Sequence, residues 1–221
     1  MTTRTWLSWS SGKDSAWTLH TLQQDPTVEV CGLLTTVNAT HGRVAMHAVR
    51  EALLVAQAEA AGLPLIQVPI PYPCSNEQYA DAMGKAMEQA REQSIEAIAF
   101  GDLYLEDIRA YREKNLAPTG LRALFPLWGR PTRELAQTMI DGGLEAVLTS
   151  VDPAQCPREW AGKAFDAELL AGLPASVDPC GENGEFHTFV HAGPMFRHPI
   201  PIEVGETIER DGFVYTDVTP V

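Results

Sequence analysis

The sequence predicts an α/β protein: a doubly wound parallel sheet over residues 1–128, followed by a smaller α+β unit over residues 129–221. Three observations carry this reading. Strand-like and helix-like segments alternate through the first part, which implies βαβ units with helices on both faces of the sheet. A polar, glycine-containing loop, Ser10-Ser11-Gly12-Lys13-Asp14-Ser15, stands at the first strand-to-helix junction. Beyond residue 128 the alternation gives way to a proline-broken stretch and then to hairpin patterns.

Taken in order, residues 5–9 are the first strand, and a helix-compatible run at 16–24 follows the loop. Val30, Cys31, Leu33 and Leu34 make 28–36 a buried second strand. Residues 45–61 are alanine-rich with Glu51 and Glu59, and predict a helix that stops at Gly62. The third strand, 65–70, is ended by Pro69, Pro71 and Pro73. Asn76 is the expected N-cap of a helix running through Gln93, and 95–100 is a fourth strand ending in Gly101-Asp102. In the second part, a helix at 132–140 and a strand at 146–150 precede Pro153, Pro157, Pro174 and Pro179. Strand patterns at 185–191, 202–209 and 213–218 close the chain. Asp211-Gly212 between the last two is a hairpin signal.

Composition narrows the function. Four cysteines at 31, 74, 156 and 180 form no C-x-x-C pair, which argues against a zinc ribbon, an iron–sulfur cluster or a dithiol redox site. Cys31 reads as a small core residue. Asp and Glu number 29 against 16 Lys and Arg, a net charge of −13 that opposes loose binding to a polyanion and makes a nucleic-acid partner unfavourable. No apolar run approaches the ~20 residues that cross a bilayer, and no signal peptide is evident, so a cytoplasmic protein without a membrane partner is expected. A homodimer is the working expectation for assembly.

The 10–15 loop has the chemistry of a phosphate cradle. The first N–H groups of a helix lack intrahelical partners and carry the positive end of its dipole. Small residues let an anion approach the main chain, hydroxyls add donors and Lys13 adds a full charge. Its spacing is not that of a Walker A loop, whose lysine sits beside the final hydroxyl of a longer turn. In parallel α/β sheets ligands bind beyond the carboxyl ends of the strands. The loop, Thr35-Thr36 and Gly101-Asp102 all fall there.

A second polar cluster, Cys180-Gly181-Glu182-Asn183-Gly184-Glu185-Phe186-His187-Thr188, precedes an apolar strand. It is either a solvated Asn-Gly turn or a set of functional side chains. His187 and His191 share a strand face, but two histidines alone do not make a metal site.

The 10–15 loop resembles the S-G-G-K-D-S loop of the PP-loop ATP pyrophosphatases, of the adenine nucleotide alpha-hydrolase-like superfamily with its HUP, Rossmann-like sheet. Gly101-Asp102-Leu103, Glu106-Asp107-Ile108-Arg109, Phe125-Pro126-Leu127-Trp128 and the 181–188 stretch resemble, in order, the diphthine–ammonia ligase family, in its bacterial-type branch. One departure is Ser11, where the family has glycine; serine resists positive φ.

The resemblance implies that ATP is cleaved to AMP and pyrophosphate, that a carboxylate-bearing acceptor is adenylated, and that ammonia then displaces AMP to leave an amide. It implies that Ser10, Ser11, Gly12 and Ser15 hold the pyrophosphate while Lys13 neutralises it. Asp14 binds Mg²⁺ or stabilises the first helical turn. Thr35 and Thr36 contact adenosine or are plain strand-end threonines. Gly101 and Asp102 face the nucleotide or its metal. Arg109 pairs a phosphate or substrate carboxylate, or is an exposed helix arginine. Glu182, Asn183, Gly184, Glu185, His187 and Thr188 line the acceptor side, with Glu182 or Glu185 as the base. His47, with Met46, matches a further family position near the nucleotide. Two other functions are carried: an ATP-binding sensor without turnover, and a PP-loop enzyme that modifies RNA.

Overall fold

The computed structural model describes residues 2–38, 43–44 and 49–221. Its first part contains β1 (Thr3–Ser8), α1 (Lys13–Gln23), β2 (Val28–Asn38), β3 (Arg43–Val44), α2 (Glu51–Ala61), β4 (Leu65–Ile70), α3 (Asn76–Glu92), β5 (Ala97–Ala99), α4 (Glu106–Leu116) and β6 (Arg122–Leu124). Five strands run parallel in the order β4-β2-β1-β5-β6, with β3 antiparallel on the end of β2. The sheet is buried on both faces, as parallel sheets are. Adjacent residues of β1 show it: Leu7 packs with Leu19, Leu53 and Leu54 of α1 and α2, while Trp6 packs with Met87 and Ala90 of α3 on the opposite side.

The second part contains α5 (Thr132–Asp141), β7 (Glu145–Val151), α6 (Ala167–Gly172), β8 (Phe186–Ala192), β9 (Ile202–Arg210) and β10 (Phe213–Pro220). Its four strands form an antiparallel sheet ordered β8-β7-β10-β9. Both residues of the Asp211-Gly212 turn take positive φ, 53° and 85°, as a two-residue hairpin of matching twist requires. Leu148, Phe186 and Phe189 of this sheet join the same hydrophobic cluster as α1 and α2, so the two sheets share one core. Among the described residues no helix is long and apolar enough to cross a membrane.

Local differences from the sequence reading have local causes. The helix expected over 45–61 starts at Glu51, because Arg50 is extended and acts as its N-cap; residues 45–48 lie outside the described residues. Ser75, not Asn76, caps α3: its Oγ accepts from the Gln78 N–H while the Gln78 side chain accepts from the Ser75 N–H, a reciprocal capping box. A fifth parallel strand, β6, is only three residues long and sits between Gly120 and Pro126, too short for a periodic signal.

The loop after β1 is fixed by one buried amide. Gln57 of α2 is fully buried; its Oε1 accepts from Trp9 Nε1 at 2.9 Å and its Nε2 donates to the carbonyls of Ser11 and Val190 at 3.1 and 2.7 Å. The Val190 N–H returns a bond to the Ser11 carbonyl at 3.0 Å, so β8 is tied directly to the loop. Ser11 sits between these bonds with φ of 71° and no exposure, and its buried Oγ has no protein partner. The tertiary bonds thus hold a serine in the left-handed region that it intrinsically resists.

Two stability predictions follow from this junction. Gln57→Leu strands the Trp9 N–H and the Val190 carbonyl, and is expected to cost about 3 kcal/mol, read as a lower urea midpoint. Ser11→Gly relieves left-handed strain and removes a buried orphan hydroxyl, against a smaller rise in unfolded-state entropy. It is expected to stabilise the protein by about 1 kcal/mol; a lower midpoint would mean that the hydroxyl is bonded in solution.

Candidate active site

The loop and α1 meet β8 at the carboxyl end of the parallel sheet. Gly12 caps α1 in extended backbone and has no side chain with which to do so; Thr188 Oγ1 supplies the cap instead, accepting from the Lys13 N–H at 3.0 Å. A Cβ at residue 12 would lie 3.2 Å from the Thr188 carbonyl oxygen, so glycine sets the closeness of this contact. Ser10 and Ser15 brace the loop through a hydroxyl pair at 3.1 Å, with Ser15 Oγ also donating to the Gly12 carbonyl at 3.0 Å. From the other side Gly101 presses on the first turn of α1. A Cβ there would meet the backbone of Asp14 and Ser15 at 3.0–3.1 Å.

Lys13 points into this junction and is 3% exposed. Its Nζ donates to Asp14 Oδ2 at 2.8 Å and to the Cys180 carbonyl, and lies 5.5 Å from the Phe186 ring centre. Burial alone would lower its pKa, but Asp14 above all, with Cys180 and Glu182, reverses this and keeps the ammonium charged. Burial raises the pKa of Asp14, with Asp178 adding to the rise and Lys13 opposing it. Asp14 Oδ1 is buried without a protein partner.

The two glutamates of the 181–188 turn have different positions. Glu185 is fully buried: Oε1 accepts from the Asp178 N–H and from Asn183 Nδ2, and Oε2 from the Asn183 N–H. It is the internal scaffold of the turn, with both oxygens committed. Glu182 instead lines the crevice, with Oε1 accepting from the Leu103 N–H at 2.9 Å. Burial pushes its pKa up to about 7; Leu103 and Lys13 oppose the rise, and Asp14 and Asp102 add to it. Burial, helped by Lys13, lowers His187 to about 4, leaving a neutral imidazole at pH 7. The Cys180 thiol is raised by burial and donates to the Thr132 carbonyl.

These groups surround a crevice of about 420 Å³. It gathers Ser10, Gly12, Lys13, Asp14 and Ser15 from the loop, Gly101 and Asp102 from the end of β5, and Glu182, Gly184, His187 and Thr188 from the second cluster. Other expected site residues lie off its wall. Ser11 is buried beneath the loop, and Thr35 is buried in β2 beside Thr36. Asn183 belongs to the Glu185 scaffold and accepts from the Tyr104 hydroxyl at 3.1 Å. Arg109 pairs with Glu113 at 2.9 Å and lies over the Phe125 and Trp128 rings, away from the crevice. His47 lies outside the described residues.

Four crevice residues outside the expected clusters escaped the sequence reading: Ser8, Phe100, Arg112 and Phe213. Arg112 lies three residues after Arg109 on α4 and pairs with Asp102 at 3.4 Å. The i,i+3 spacing places both arginines on neighbouring positions of one helix, a signal that could have raised Arg112 beside Arg109.

Comparison with known proteins agrees with this architecture. The family model for the diphthamide synthase N-terminal domain matches residues 3–123, and that for the diphthamide synthase C-terminal domain matches residues 131–217. Proteins named diphthine–ammonia ligase are similar to the chain. The one from Danio rerio is 30% identical over 168 residues, 68% of this chain and 65% of the relative. The Bos taurus protein is 25% identical over 177 residues, 73% of this chain and 66% of its own length. The Schizosaccharomyces pombe protein is 29% identical over 120 residues, 52% of this chain and 20% of its own length. The chain therefore spans no more than about two thirds of these relatives. With both domain models matched in order, the chain belongs to the diphthamide synthase family.

Proposed function

We propose that the protein is an ATP-dependent ligase that adenylates an acceptor carboxylate and converts it to an amide with ammonia. Residues 1–128 hold ATP, and residues 129–221 bring the base to the acceptor side of the crevice. The observation that carries the reading is the meeting, in one crevice, of a helix N-terminus bearing Lys13 with a carboxylate whose pKa stands near neutrality, Glu182. The first feature suits a triphosphate and the second a proton transfer at pH 7. The relatives are named diphthine–ammonia ligases, which makes diphthine the first acceptor to test.

In this reading an acceptor carboxylate oxygen attacks the α-phosphorus of ATP, and the bond to the bridging oxygen breaks to release pyrophosphate. Lys13 and the N-terminus of α1 stabilise the charge that gathers on the leaving group. Ammonia then attacks the acyl carbon and AMP departs. Glu182 takes the proton lost from nitrogen, while Glu185 and Asp178 hold the turn that presents it. Asp14 fits Mg²⁺, since its Oδ1 is buried and unbonded by protein; the ion would neutralise phosphate charge. Ser10 and Ser15 keep the loop in shape, and both residues line the same crevice.

The direct test is release of AMP and pyrophosphate from ATP with Mg²⁺, with and without ammonium, across diphthine-bearing protein and small carboxylates. Acceptor-dependent AMP supports the ligase; ATP bound without turnover favours a sensor; ADP and phosphate as products exclude attack at the α-phosphorus.

Three further outcomes are expected. Turnover, measured at constant free ammonia, rises as pH passes through about 7, because the base must be ionised. Glu182→Gln removes that inflection and lowers turnover by ~10²-fold with ATP affinity retained. The linked stability runs the other way. The folded-state pKa lies above the ordinary 4.5, so ionising Glu182 costs the native state, and stability falls as pH climbs from 4.5 to about 7. Calorimetric melts of the parent and Glu182→Gln across that window should show the difference shrink in the variant. Finally, Lys13→Met strands Asp14 and lowers both stability and AMP formation. Adding Asp14→Asn should restore the melting temperature and leave turnover at least ~10²-fold down.

A further inference from the structure

Two arginines of α4 approach the aromatic residues near the crevice, and only one of them faces it. Arg109 is spoken for: Glu113 holds its Nε edge at 2.9 Å, and its guanidinium carbon lies 5.0 and 4.7 Å from the Phe125 and Trp128 ring centres. Arg112 lines the crevice, 30% exposed, with its guanidinium carbon 4.8 Å from the centre of Phe100. Asp102 meets it through Nε alone, at 3.4 Å. Among the described residues its Nη nitrogens form no hydrogen bond. The fork edge that matches a planar anion is thus left for a ligand.

The crevice has two cations among the described residues, and they differ in kind. Lys13 is sunk beside Asp14, the Cys180 carbonyl and the helix N-terminus, where glycines and hydroxyls suit phosphate. Arg112 stands against Phe100 and Asp102, where a carboxylate already in place would repel a polyphosphate. A singly charged planar group on an apolar body fits there better. The protein as a whole repels anions, with a net charge of −13, so such a group needs a local cation. Phe213, brought to the crevice by the β9–β10 hairpin, adds apolar surface for the rest of that ligand.

We propose that Arg112, seated on Phe100 and steered by Asp102, anchors the carboxylate of the acceptor. This assignment rests on the ligase reading for the ligand's identity, but its anion site can be tested alone. The probe is sodium acetate, titrated at constant ionic strength against sodium chloride. The Nε–Hε resonance of Arg112 is followed by NMR and assigned by its loss in Arg112→Lys. A saturable shift with acetate, absent with chloride, absent from the Arg109 resonance and persisting with ATP bound, is the expected result. No saturable shift overturns the proposal. So does a shift that pyrophosphate reproduces at lower concentration and ATP abolishes, which would assign Arg112 to the nucleotide. In the acceptor-dependent assay, Arg112→Gln should raise the acceptor KM about tenfold or more while the KM for ATP stays put. An equal rise in both would reject an acceptor-specific role. Absence of turnover with every acceptor would count against the ligase reading, while the acetate titration would still decide the anion site.

Discussion

The bond between β8 and the loop after β1 is the constraint on which the rest of the molecule turns. Ser11 gives its carbonyl to Val190 and Gln57 together, and Gln57 closes the triangle through Trp9. In a dry interior each of these polar groups is costly if unmatched and strengthening if matched, so the junction has one favourable arrangement. That arrangement places Thr188 over the start of α1 and Gly12 under β8. It also brings the 181–188 turn within reach of Lys13. The crevice is therefore a product of sheet-to-loop docking rather than of either sheet alone.

Within the crevice, charge alternates at close range. Lys13 lies between Asp14 and the Cys180 carbonyl, while Glu182 feels Asp14 and Asp102 as well as Lys13. Burial makes each carboxylate reluctant to ionise, and the lysine moderates that reluctance at both Asp14 and Glu182. The two glutamates of the turn illustrate how position decides role. Glu185, with three donors on its two oxygens, is structural by bonding. Glu182, with one donor and a place on the crevice wall, has its pKa pushed up to about 7 by burial.

Much of this was legible in the chain. The loop at the first strand–helix junction, the strand-end positions of Gly101 and Asp102, and the Asp211-Gly212 turn depend on local chemistry, and local chemistry is written in sequence. What escaped depended on distant partners. The separate duties of Glu182 and Glu185 are set by Asp178 and Leu103, which no spacing relates to them. Arg109 and Arg112 are near neighbours in type and place; packing against Phe125 and Trp128 or against Phe100 sorts them. Thr35 and Thr36, expected to end the second strand, lie inside β2, which runs on to Asn38, and the described crevice opens beside β1 and β5. Ser75 outcompeted Asn76 as a cap because Gln78 reciprocates.

Thr188 gives this design a last property. The cap of α1 comes from a strand about 175 residues downstream, and the helix has no side chain of its own to replace it. The loop is accordingly not a portable cassette. Grafted with its own strand and helix into another sheet, it would arrive with an unmet N–H at the helix entrance and no support for a left-handed serine. Recombination that exchanged the second sheet would be tolerated only where the newcomer offered a hydroxyl to the Lys13 N–H and an N–H to the Ser11 carbonyl at the same two points. Modularity here stops at the 10–15 loop.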